Sequence, residues 1–174
     1  MPVRGAADTS NVTSLSDDLE PLIAEPGPDI GQTTSAVLRA GIDLPLRQVG
    51  LAAGSVDGPG ALEGRVGITG AWQGEAVIRC GVGLARLVAG AIYAVPPKQV
   101  RVGQIQSAVT QLASLTASGL ETMLPKPCRL ARPRVRAACD ADAQRLDGAI
   151  RGEVHFDCEG EPLVILLVER SAGD

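Results

Sequence analysis

Aromatic side chains are almost missing from this 174-residue chain: Trp72, Tyr93 and Phe156 are the whole set. Their scarcity leaves little to stack on bases or sugar rings, so the core has to be built from Ala, Val, Leu and Ile. Lysine is nearly as scarce, present only at Lys98 and Lys126, and the net charge is −4. An acidic chain is a poor match for a phosphate backbone, so no nucleic-acid partner is expected. No run approaches the roughly 20 continuous apolar residues that cross a bilayer. Met1-Pro2-Val3-Arg4 also opens no apolar stretch of the signal-peptide kind. A cytoplasmic protein without membrane insertion is the expectation.

One histidine and four cysteines offer little to a metal. His155 and Cys158 have a spacing found in some zinc sites, but no second pair completes four ligands. Cys80, Cys128, Cys139 and Cys158 are far apart and mostly lie in or beside apolar runs, as buried thiols do. Local basic character gathers at Arg129, Arg132, Arg134 and Arg136, the last three at alternate positions. That spacing places them on one face of a strand, where a solvated sheet face is the ordinary outcome.

Residues 1–27 read as a poorly ordered arm, rich in Ser, Thr, Asp, Gly and Pro, with a short helix conceivable at Ser16–Ala24. One domain is expected over residues 28–174. Within it, Asp29 to about Ala40 has helical apolar spacing and Gly41 is positioned to end the helix. Leu44–Ala53 reads as an edge strand because of Pro45, and 54–60 as a loop. Arg65–Trp72 and Glu75–Cys80 form a hairpin across the pair Gln73-Gly74. Val82–Ala94 is helical and stopped by Pro96-Pro97. A longer helix spans about Gln99 to Leu124, with Val102, Ile105, Val109, Leu112, Leu120 and Met123 as its apolar stripe, interrupted at Thr116. Strands follow at Arg129–Cys139, Ala149–Cys158 and Pro162–Glu169. This grouping predicts an α+β fold, a mostly antiparallel sheet with long helices packed on one face.

Opposite the stripe of the long helix lies a row of Gln104, Ser107, Gln111, Ser114, Ser118 and Glu121, spaced at three and four residues. Such rows usually face water. This one is made mostly of small or uncharged side chains, where a solvated helix of this length carries several Glu and Lys. A smooth face of that kind suits docking to another protein or subunit. Other chemistry has less to stand on. Gly81-Val82-Gly83 between a strand and a helix lacks the third glycine and the lysine of phosphate loops. Trp72 reads as a packing anchor, and Lys98 and Lys126 as solvent-facing flanks of the long helix.

The stretch Ile68-Thr69-Gly70-Ala71-Trp72-Gln73-Gly74-Glu75-Ala76-Val77-Ile78, the two helices around Pro96-Pro97, and Leu124-Pro125-Lys126-Pro127-Cys128-Arg129-Leu130 follow in an order that resembles CheX-type proteins of the CheC/CheX/FliY superfamily. The resemblance covers about Gly64 to Arg136. It implies a CheX-like fold and, as partner, a CheY-like response-regulator receiver domain. In that family a long helix presents Asp or Ser, then Glu four residues on, then Asn three residues later. The Glu engages a receiver lysine and the Asn positions the water that attacks the aspartyl phosphate. Here those positions fall on Ser107, Gln111 and Ser114. Gln111 keeps length and hydrogen bonding but loses charge, and Ser114 lacks the carboxamide. The resemblance therefore implies receiver binding with weak or lost phosphatase activity, through Gln104, Ser107, Gln111, Ser114 and Ser118. It implies no cofactor of the chain's own, since a receiver brings its Mg2+. Two alternatives stay open: an active phosphatase in which Gln111 positions water, and a purely structural module that forms a homodimer.

Overall fold

Alternating apolar residues after Gly60 build the centre of a sheet in the computed structural model, which describes residues 29–51, 56, 58–138 and 145–171. The expected N-terminal arm and Cys139 lie outside the described residues. Strands β1 (Arg47–Val49), β2 (Ala61–Gly70), β3 (Gly74–Gly81), β4 (Cys128–Leu130), β5 (Arg134–Ala137), β6 (Ala149–Cys158) and β7 (Glu161–Glu169) make one antiparallel sheet. Its order is β1-β6-β7-β3-β2-β4, with β5 also paired to β2. Helices α1 (Ile30–Ile42), α2 (Val82–Tyr93) and α3 (Val102–Glu121) share one core with one face of that sheet. The expected α+β architecture is the one observed.

Strand alternation sorts the side chains into two layers. Val66, Ile68, Ala76, Ile78, Phe156 and Ile165 point to the helices. A smaller apolar cluster, with Val77, Val164, Leu166 and Val168, forms on the opposite face. Because aromatics are scarce, the helix layer closes on small residues. Ala108, Ala113 and Ala117 of α3 are fully buried. A Cβ added at Gly64 of β2 would lie 3.0 Å from Ala113 Cβ and 3.0 Å from Ile78 Cγ1. The glycine therefore sets how closely α3 sits on the sheet.

Element boundaries moved for identifiable reasons. Helix α1 runs past Gly41 and ends at Asp43, which takes the left-handed conformation (φ 54°). Gly41 is instead where α1 meets Leu115 of α3, since a Cβ there would overlap that side chain. Strand β1 is shorter than expected, because a tight turn from Leu46 N–H to the Leu44 carbonyl (2.9 Å) precedes it and Leu46 is buried. It is nonetheless an edge strand. The first hairpin connects through residues 71–73, because Gly74 already pairs with Ile68. Gly70 (φ 120°) bends the chain there, against the backbone of Pro127. The expected strand 129–139 is two strands. Pro133 has no N–H for the ladder, and between β4 and β5 the Ala131 N–H reaches back to Gly67 O (2.8 Å). Helix α3 begins at Val102, which is 74% exposed and so not part of the buried stripe. Thr116 does not break that stripe: it is fully buried within it.

Candidate functional site

Helix α3 packs against α1, α2 and the sheet, and turns one side to solvent. Ile105, Ala108, Val109, Leu112, Thr116 and Leu120 make its inner side. The polar row falls on the outer side: Gln111 and Ser118 are exposed, and Gln104, Ser107, Ser114 and Glu121 are half-buried. These side chains lie together along one side of the helix, as the 3.6-residue period requires.

Their hydrogen bonds separate them into two groups. The Gln104 Oε1 accepts from the Arg101 N–H at 2.9 Å, which ties this side chain to the start of the helix. Ser114 Oγ donates to the Thr110 carbonyl one turn back at 3.0 Å, and Thr110 Oγ1 does the same to Gln106 O at 2.8 Å. Glu121 Oε1 meets Lys126 Nζ at 2.8 Å, so Lys126 closes the far end of the helix. The side chains of Ser107, Gln111 and Ser118 make no hydrogen bond or ion pair among the described residues. The Gln111 carboxamide is thus uncommitted, whereas the Ser114 hydroxyl already donates to its own helix.

Other candidates resolve differently. His155 and Cys158 sit on opposite faces of β6. His155 Nε2 lies 2.7 Å from Glu153 Oε1, while Cys158 is in the helix-side core. No group of three or more His, Cys, Asp and Glu side chains suited to a metal occurs among the described residues. Next to Gly81-Val82-Gly83, the carboxylate of Glu161 packs so closely that a Cβ at Gly83 would overlap it. The first turn of α2 therefore already faces an anionic group of this chain. The same carboxylate acts on buried Cys80, whose thiol is pushed up to about 12 by burial first and Glu161 second. Trp72 is half-buried against the helix-side core, as an anchor should be. No described helix is long and apolar enough to cross a membrane.

The feature that sequence reasoning missed lies on the other side of the sheet. Glu63 of β2 is fully buried and accepts from three arginines: Arg65 Nε (2.6 Å), Arg79 Nε (3.0 Å) and Arg136 Nε (3.1 Å). Arg136 is therefore an ion-pairing residue, not part of a solvated face, and Arg132 lies outside any strand. The available signal was the alternation Glu63-x-Arg65 in β2 beside Arg134-x-Arg136 in β5, though nothing local shows that the two strands pair.

No protein-family model and no curated protein sequence matches the chain. Its fold does match solved structures. One is a chain of the CheX–CheY–BeF3–Mg2+ complex from Borrelia burgdorferi, with a TM-score of 0.61 and 14% identity, covering 82% of this chain and 96% of the other. CheX from Vibrio vulnificus gives 0.62 and 17%, covering 83% and 99%. FliY from Thermotoga maritima gives 0.51 and 13%, covering 80% and 84%.

Proposed function

The chain has the fold shared by CheX, CheC-like and FliY structures, and from that premise we propose that the outer face of α3 docks a CheY-type receiver domain. The observation that carries this reading is the row Ser107, Gln111 and Ser114, held together on the solvent side of a helix with almost no charge along it. A neighbour of the same fold is known in complex with CheY.

The chemistry of the row argues for contact with weak or lost catalysis. Dephosphorylation of an aspartyl phosphate asks a protein chiefly to place a water in line and to hold charge. Gln111 hydrogen-bonds but cannot form an ion pair with a lysine. Ser114 is short and turned back on Thr110 O. The chain then acts as a modulator, scaffold or sequestering partner of the receiver, which supplies its own Mg2+. Replacing Ser114 with Arg sets a long charged side chain in the middle of the face and abolishes receiver binding. Unchanged affinity refutes docking through α3.

A second reading rests on the uncommitted carboxamide of Gln111: the protein is an active phosphatase in which Gln111 orients the attacking water. The lifetime of the aspartyl phosphate on a receiver separates the two. If wild type leaves the lifetime unchanged and Gln111→Glu/Ser114→Asn shortens it, docking survives without catalysis. If wild type shortens it and Gln111→Ala does not, Gln111 is the working group. A protein that neither binds nor affects any receiver but sediments as a dimer is a structural module.

A further inference from the structure

The sheet face away from the helices carries a cavity of about 600 Å³ between β2, β5 and the residues Arg145 and Asp147. Among the described residues, six arginines line it: Arg65, Arg132, Arg134, Arg136, Arg145 and Arg170. Among the described residues of the lining, only Glu75 and Asp147 oppose them. In a chain whose net charge is −4, this is a concentrated positive site.

The pairing of these charges is uneven. Glu63 lies across the strands from Arg79 on one side and Arg136 on the other, so one row reads Arg–Glu–Arg. In the next row Arg65 lies directly opposite Arg134. Like charges opposed across antiparallel strands repel at a Cβ separation of roughly 5 Å. Arg65 is compensated by Glu63 and by Glu75 Oε2 (3.2 Å), and its Nη2 donates to the Arg145 carbonyl (3.0 Å). Glu75 is further shared with Arg170, at 3.8 Å. Arg132 and Arg134 have no acidic partner among the described residues, and both are exposed.

We propose that this cavity binds a small, multiply charged phosphate compound of nucleotide size. Its volume is that of a small-molecule site. Guanidinium groups bind phosphate oxygens in pairs of hydrogen bonds, and an anion lying between Arg65, Arg132 and Arg134 removes the cross-strand repulsion. The buried carboxylate of Glu63 holds Arg65 and Arg136 in place before the ligand arrives, which lowers the cost of ordering them. The described residues of the lining include no aromatic side chain, so selection is by the phosphate chain and not by stacking of a base. The site is separate from the α3 face and is tested without any receiver, so its failure leaves the docking reading untouched.

The test is calorimetric titration of the full chain at low salt with ATP, tripolyphosphate and adenosine. ATP and tripolyphosphate bind with similar affinity, adenosine does not, and added salt weakens binding. Arg132→Glu/Arg134→Glu weakens both anions roughly tenfold or more, as loss of charge-assisted bonds requires. Arg47→Glu/Arg86→Glu, which changes the net charge equally outside the cavity, leaves them within about threefold. Both pairs replace exposed residues, so circular dichroism should show each variant folded. Absence of anion binding at millimolar ligand overturns the proposal. So does equal loss in the two variants, or adenosine binding as tightly as ATP.

Discussion

Replacing Glu63 with Gln removes one negative charge from a site where water cannot take its place. Glu63 is fully buried, and the side chains of its partners Arg65, Arg79 and Arg136 are 12%, 19% and 32% exposed. The amide keeps the size and one acceptor oxygen, so the change is one of charge. Removing one member of a buried ion pair costs about 3–5 kcal/mol, because the charge left behind is uncompensated. Arg136 keeps the most solvent of the three, so Arg136→Gln costs less, about 1 kcal/mol. The double variant then loses less than the two singles together, since Arg136 is no longer stranded. Against a typical domain stability of about 5–15 kcal/mol, the loss in Glu63→Gln is large enough to halve the unfolding midpoint of a weak domain. Urea unfolding followed by the fluorescence of the single Trp72 and by circular dichroism measures it, with the slope unchanged if the unfolded state is unchanged. A Glu63→Gln variant within about 1 kcal/mol of wild type, or strictly additive with Arg136→Gln, would mean that Glu63 does not compensate the buried arginines.

Three further outcomes follow from buried groups. Thr116 Oγ1 is buried with no hydrogen-bond partner among the described residues, so Thr116→Val stabilises the fold by about 1 kcal/mol in the same urea experiment; a loss of stability contradicts this. Gly64→Val overpacks the contact with Ala113 and Ile78 and costs about 1–3 kcal/mol, together with weaker receiver binding if α3 is lifted from the sheet; a neutral result means the helix yields freely. Cys80, with its thiol raised from 9.0 to about 12, holds its proton in the folded state while the unfolded chain ionises. Its contribution to stability is complete below about pH 9 and is lost as pH rises toward 12, so Cys80→Ala flattens the alkaline decline of the urea midpoint. An unchanged slope rejects that assignment.

Much of the architecture was legible because it is written in local periodicity. The stripe Ile105, Val109, Leu112 and Leu120 and the continuous apolar run Leu163–Val168 of β7 each need only neighbouring residues to be seen. The outward placement of Gln111 and Ser118 follows from the same period. What was not legible depends on pairing at a distance. Glu63 meets Arg79 16 residues away and Arg136 73 residues away, and no local pattern encodes that convergence. Thr116 looked like a flaw in a helix stripe, since only the packed structure shows a hydroxyl enclosed without a partner. Pro133 carried a readable warning against one continuous strand, but the apolar and arginine alternation around it outweighed that signal. Side-chain commitments such as Ser114 to Thr110 O are a matter of rotamer choice, which residue spacing does not fix.

Three consecutive residues of β2 carry both sides of the molecule. Gly64 sets the height of α3, while Glu63 and Arg65 anchor the arginine layer beneath. A strand turns successive side chains to opposite faces, so no insertion or deletion within 63–65 can spare either side. One extra residue would send a carboxylate under the helix and a glycine to the arginines. The chain can therefore diversify its two faces by substitution along α3 or β5, while length changes have to be accommodated in the loops. A library of single-residue insertions should show β2 as the least permissive part of the sheet, with both faces failing together.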